Sequence, residues 1–183
     1  LASEETKNLT DDNPGYDKNP VFSPDGLRMA WESMPRDGYE ADKNRLMIKD
    51  METGKVIDFT ANFDQDIHNP VWNLMGDALF FISNRHATED IYRVNLPGGD
   101  IHKITDGEYN YTSVIPAGGQ LISTRMSMSM PTEIYSVNPV DGTTKNISEA
   151  NRPILNKLKM GNVEKRWITT TDGKDMLTWV IYP

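Results

Sequence analysis

No cysteine occurs in the chain, so there is neither a disulfide framework nor thiol chemistry to read, and the redox compartment stays open. No apolar run approaches the roughly 18 residues of a membrane span. Cations are outnumbered: the formal net charge is −8, which argues against nucleic acid and anionic membrane surfaces as partners, since both select basic patches. No H-E-x-x-H and no cysteine ligand set is present, so no metal site is expected, and no cofactor motif occurs. The short acidic stretches Asp64-Gln65-Asp66 and Asp11-Asp12-Asn13 read as solvated loop charge. No G-x-S-x-G occurs either, so no serine-nucleophile elbow lies in these 183 residues. His68, His86 and His102 fall at expected loop or outer-strand positions, and none is paired with such a serine. The catalytic residues assigned to this chain are therefore none.

What is present is a phrase spoken three times. Hydrophobic residues make up 37% and charged residues 25% of the chain, which is globular, and its 11 Pro and 13 Gly suit short strands and turns. Asn19-Pro20-Val21-Phe22 is followed by the turn Ser23-Pro24-Asp25-Gly26 and a second strand, Arg28–Glu32. Pro24 presets φ and Gly26 accepts a positive φ, so the turn has a mechanism. Asn69-Pro70-Val71-Trp72 repeats the opening, and Tyr111–Ile115 occupies its place in a third copy. Third strands alternate with period two at Arg45–Asp50, Asp90–Asn95 and Glu133–Asn138, each ending in a Gly turn. Fourth strands close on a hydroxyl: Thr60, Thr105 and Ser148.

Four antiparallel strands at a period of about 43–50 residues are the mark of a propeller blade. The expected fold is all-β: a partial β-propeller of four-stranded antiparallel blades, about three complete blades plus parts of flanking ones. The division is residues 1–10 as the end of a preceding blade, with Thr6–Thr10 its last strand, then blades over 11–60, 61–105 and 106–148. Residues 149–163 would begin a further blade, with Ile154-Leu155 and Leu158–Met160 in its innermost strand. Residues 164–183 form a hairpin turning at Asp172-Gly173. Three blades cannot close a ring of ~4–8, so the chain reads as part of something larger, and Leu1-Ala2-Ser3 is not a natural start. The open arc exposes apolar sheet faces, and self-association of the isolated chain is expected.

Loops Ser33–Asn44, Ala61–His68, Asn84–Glu89, Asp106–Asn110 and Met126–Thr132 should share one face. The candidates on it are modest. Met126, Met128 and Met130 alternate and are read first as packing between blades, second as a soft apolar contact for a ligand. Trp31 and Trp72 read as inter-blade packing. Arg85 and Arg125 read first as rim arginines paired to surface acids, second as groups that hold a peptide carboxylate or carbonyl. Asp37, Glu40 and Asp42 are carboxylates on the enlarged first loop. The sequons at Asn8, Asn110 and Asn146 read as by-products of the repeat. No substrate-binding set is singled out.

The Ser-Pro-Asp-Gly turn, the L-T and I-T blade endings and the final stretch Thr169–Pro183 resemble the prolyl oligopeptidase family of serine peptidases, in its dipeptidyl-peptidase and acylaminoacyl-peptidase branch. The second and third units depart from the Ser-Pro-Asp-Gly pattern. The resemblance implies a propeller covering an α/β-hydrolase domain that this chain does not contain, with Glu164–Pro183 as the crossover. It implies a filter admitting short peptides, release of dipeptides or acylated residues, loop carboxylates facing the substrate ammonium, and a periplasmic or secreted location. The alternative is a non-enzymatic, TolB-like periplasmic protein-binding propeller, which would return to a blade strand at Glu164–Pro183.

Overall fold

A computed structural model describes residues 5–183. Residues 1–4, part of the expected end of a preceding blade, lie outside it. Four strands, β1 (Asp17–Phe22), β2 (Arg28–Ser33), β3 (Arg45–Asp50) and β4 (Val56–Asp58), form one antiparallel sheet in sequence order. The phrase repeats in β5 (His68–Trp72), β6 (Ala78–Arg85), β7 (Thr88–Asn95) and β8 (Ile101–Lys103). It repeats again in β9 (Asn110–Tyr111), β10 (Ile115–Ala117), β11 (Gln120–Ser127), β12 (Met130–Val137) and β13 (Thr144–Asn146). After a helical turn, α1 (Arg152–Leu155), the hairpin β14 (Val163–Thr169) and β15 (Asp175–Ile181) pairs only with itself. No helix among the described residues is long and apolar enough to cross a membrane.

The hydroxyl endings have a structural reason. Thr60 Oγ1 accepts from Leu46 N–H at 2.9 Å, Thr105 Oγ1 from Ile91 N–H at 3.0 Å, and Ser148 Oγ from Ile134 N–H at 3.0 Å. Each continues the pairing of strand three where strand four has ended. Each hydroxyl then donates to a carboxylate: Asp58, Asp90 and Glu133 respectively. The Gly turns recur too, with Gly54, Gly99 and Gly142 donating to the carbonyls of Asp50, Asn95 and Asn138. All three have positive φ, and a Cβ on Gly142 would run into the Ile104 carbonyl of the preceding unit.

Two apolar layers separate the units. Ala30, Leu46 and Ile48 of the first pack on Trp72, Leu79, Phe81, Tyr92 and Val94 of the second. Phe80, Ile82 and Ile91 on the other side of the second unit pack on Tyr111, Leu121, Tyr135 and Val137 of the third. Both faces of the middle sheet are therefore covered, which explains the run of buried residues from Ala78 to Ser83 in β6. Trp72 sits in the first layer, its Nε1 donating to the Val21 carbonyl at 3.1 Å. Trp31 is buried on the opposite face of the first sheet, its Nε1 donating to Asp17 at 2.9 Å.

Four expectations are corrected. Thr6–Thr10 is not a strand, because no strand among the described residues pairs with it; Lys49 Nζ instead holds the Leu9 carbonyl at 2.6 Å. The opening strand of the third unit is split: β9 pairs with β11 and makes one parallel bridge to β7, while Ser123 and Thr124 tie down the intervening Thr112 and Ser113. Met126–Thr132 is not a long loop, since β11 runs to Ser127 and turns back at Met128-Ser129. Ile154 and Leu155 lie in a helical turn rather than a strand, and Leu158–Met160 is irregular. Pro153 presets the helical φ in the first turn, where its missing N–H costs nothing.

Candidate functional site

Among the described residues the loop face carries two polar constructions and, beside the second, an open cleft. At the joint of the first and second units, Glu32 is 1% exposed. Its Oε1 accepts from Asn19 Nδ2 and the Asn69 N–H, both at 2.8 Å, and its Oε2 from Asn44 Nδ2 at 2.7 Å. Lys18 Nζ stands at 3.8 Å and His68 Nδ1 at 3.9 Å. Burial raises the Glu32 carboxyl, but His68 and the donors of Asn19, Asn44 and Asn69 outweigh it and leave it at about 2. The contact with Glu32 in turn holds His68 above its ordinary value, against burial. Asn19 and Asn69 share a φ of 53°, and β1 and β5 each carry a register break beside them, so the same bulge in two copies delivers the Asn19 side chain and the Asn69 backbone N–H. Glu32 thereby staples the first unit to the second, at the floor of an open hollow of 380 Å³ that Lys18, Asn19, His68 and Asn69 also line.

At the joint of the second and third units the central charge has the other sign. Arg125 is 8% exposed and lies against the rings of Tyr135 at 3.6 Å and Tyr109 at 3.9 Å, with Tyr111 at 5.8 Å. Its Nη1 donates weakly to Tyr111 Oη and Thr144 Oγ1, each at 3.3 Å, and its Nε has no partner. Glu133 is its cross-strand neighbour, but that carboxylate is taken by Ser148, Ala150 and Asn151 and held at about 2 by them.

Beside Arg125 the cleft opens. Two tight turns, His86-Ala87 and Met128-Ser129, the connection Gly107–Asn110, and Val163 and Trp179 of the hairpin enclose 480 Å³. His86 and Ala87 both have positive φ, the geometry of a two-residue hairpin turn. His86 meets Trp167 of the hairpin edge-on at 5.2 Å, which places the hairpin on the loop face.

The candidates named from sequence are thus scattered. Met126 and Met128 line the cleft, whereas Met130, beyond the turn, packs on the core and accepts from Tyr135 Oη, so the methionine stripe is divided. Arg125 is buried under Tyr109 rather than on the rim, and Arg85 is exposed. Asp42 is bound to Arg36, which also stacks on Tyr39 at 3.8 Å, so that carboxylate is occupied; Asp37 and Glu40 are exposed. His68 is in an innermost strand, not a loop. Asp66 accepts from the Asn44 N–H, and Asn13 donates to Asp17. Among the described residues no group of three or more His, Asp or Glu could hold a metal. Sequence reading missed Glu32, Tyr109, Asn110 as a cleft residue and Trp179. The paired Asn-Pro openings were the one available signal for the Glu32 staple.

Repeated four-stranded antiparallel units, packed face to face with their loops on one side, define an arc of a β-propeller. No family model matches the chain. Dipeptidyl-peptidase 5 of Porphyromonas gingivalis is 37% identical over 183 residues, all of this chain and 27% of that protein, so the chain spans about a quarter of the length of its curated relatives. Among solved structures, the acylaminoacyl peptidase of Pyrococcus horikoshii superposes with a TM-score of 0.73 at 19% identity, over 90% of this chain and 25% of that one. The β-propeller domain of the trilobed protease from Pyrococcus furiosus gives 0.56 at 19% over 73% and 38%, and TolB from Acinetobacter baumannii gives 0.56 at 18% over 91% and 40%. The resemblance to the dipeptidyl-peptidase branch is shown end to end: the chain is related along its whole length to a segment of dipeptidyl-peptidase 5.

Proposed function

We propose that this chain is the substrate-filtering propeller segment of a serine exopeptidase that releases dipeptides or acylated residues from short peptides, with catalysis in an α/β-hydrolase domain outside it. The division follows the repeat: blades at 11–60, 61–105 and 106–148, residues 149–163 leading on, and the hairpin of 164–183 as the crossover. The partners are that hydrolase domain and short peptides. The periplasmic or secreted location rests on the family resemblance alone.

One observation carries the reading. In a chain related throughout to dipeptidyl-peptidase 5, the repeat gives way to a hairpin that adds to no blade and lies on the loop face. A TolB-like binding propeller is the second reading, favoured only by a weaker structural likeness. The test is to assay the full-length protein on peptides of graded length. Release of dipeptides from short peptides, with folded proteins spared, is expected; no release from any peptide refutes the peptidase reading.

The open outer face of the third unit supports a further proposal, self-association of the isolated chain. Ile115, Ile134 and Ile147 share that face and are 60%, 41% and 51% exposed. Sedimentation of the isolated chain at rising concentration should show mass action towards a dimer, and a monomer throughout refutes it.

A further inference from the structure

The cleft beside Arg125 has a chemistry of its own. Its walls are apolar and soft: Met126 and Met128 on one side, Val163 and Trp179 on another, Ala87 at the edge. Its volume is that of an ordinary small-ligand site. Two polar groups in its lining are donors without a partner. The Glu89 N–H is shared between the Tyr109 carbonyl and Asn110 Oδ1, each at 3.2 Å, which assigns the amide oxygen and leaves Nδ2, with no partner among the described residues, as the free end of a residue that lines the cleft. Trp179 Nε1, in the hairpin wall, is buried without an acceptor. Beneath Tyr109, itself a wall of the cleft, lies the Arg125 guanidinium, whose Nε has no partner among the described residues. A positive centre and unpaired donors are unusual in a chain of net charge −8, and they suit an electron-rich acceptor. Glu108, the one carboxylate in the lining, opposes an anionic ligand and leaves a neutral carbonyl as the match.

We propose that this cleft is a peptide subsite: a backbone carbonyl of the peptide accepts from Asn110 Nδ2, and the neighbouring apolar side chain enters between Met126, Met128 and the Trp179 ring. The proposal rests on the peptidase reading for its biological sense, and it deepens that reading by naming the side-chain class. It places part of substrate selection on the propeller rather than on loop carboxylates. Asn110 also ceases to be a mere by-product of a sequon, since its amide is committed on one side and faces the ligand on the other.

The test uses the full-length protein, treated with diisopropyl fluorophosphate so that turnover does not intrude, and titration calorimetry with blocked tripeptides. N-acetyl-Gly-Phe-Gly-amide should bind at least fivefold more tightly than the Ser and Asp analogues. Asn110→Asp keeps the acceptor for Glu89, removes the free donor and adds a charge beside Glu108; it should weaken the Phe peptide about tenfold. Met128→Asp should abolish the preference for Phe over Ser. Equal affinity for all three peptides, tighter binding of the Asp peptide, or an unchanged constant in Asn110→Asp overturns the proposal. So does the absence of any binding, the result expected if another part of the molecule or a second copy fills the cleft. Because the titration needs no turnover, a protein that binds the Phe peptide but releases no dipeptide would refute the peptidase reading while leaving the subsite standing.

Discussion

The two joints between units solve one problem with opposite charges. Each must seal a polar end, on the loop side, above an apolar layer. The first joint buries a carboxylate and pairs it well: Glu32 takes three hydrogen bonds and has Lys18 and His68 within 4 Å. The second buries a guanidinium and satisfies it poorly, with aromatic faces and two hydrogen bonds of 3.3 Å. A carboxylate out of water needs donors on every lone pair, whereas a guanidinium is weakly hydrated and tolerates ring faces. The difference is one of degree: Glu32 is held by short hydrogen bonds although Asn44 Oδ1 beside it has no partner, whereas the poorly paired Arg125 lies beside the cleft.

Breaking the first joint should have the largest effect. Glu32→Ala strands Asn44 Nδ2 and the Asn69 N–H and leaves Lys18 and His68 without their anion, which should cost about 3 kcal/mol in thermal or denaturant unfolding of the protein. Thr105→Val is next. It removes the acceptor of the Ile91 N–H and the donor to Asp90, both buried, at a cost of about 2 kcal/mol. Arg125→Met should be milder, within about 1 kcal/mol, because it exchanges an ill-paired charge for an apolar chain of similar reach. A loss at Arg125 as large as that at Glu32 would show that the guanidinium is held as firmly as the carboxylate, and the comparison would fail.

The sequence shows the difference between these joints only in part. The blade endings at Thr60, Thr105 and Ser148 were legible because the hydroxyl bond is local to one unit and recurs with the repeat. The Glu32 staple was not, because its partners come from 12 to 37 residues away and depend on bulges in β1 and β5. The methionine alternation misled for a similar reason: period two runs straight through Met128-Ser129, and nothing in Met-Ser-Met announces a turn. Around Arg152–Leu155 the apolar pair Ile154-Leu155 suggested a strand, yet Asn151 and Pro153 open a helical turn locally. The cleft itself is assembled from three connections and the hairpin, so no single stretch could display it.

The smallest expected effect is also the sharpest discriminator, because only one joint titrates near neutrality. Glu32 is lowered from its unfolded range to about 2, so its contribution is in full force above about 4.5 and is lost as pH falls towards 2. His68 is raised by Glu32, so its contribution is complete below its ordinary value of 6.5 and fades as pH climbs through the higher folded value. His68 is 40% exposed at its side chain and its distance to Glu32 is 3.9 Å, so solvent screening keeps this second term below about 1 kcal/mol. The first joint should therefore weaken at both ends of the scale. Arg125 stays charged throughout this range, its charge favoured by Tyr111 and Tyr135 although burial opposes it, and gives the second joint no matching dependence. Measured as unfolding free energy between pH 5 and 9, the alkaline decline should vanish in His68→Gln and persist in Arg125→Met. If it persists in His68→Gln, the titrating group lies elsewhere, and the Glu32 cluster owes its stability to the three asparagine donors without help from the imidazole.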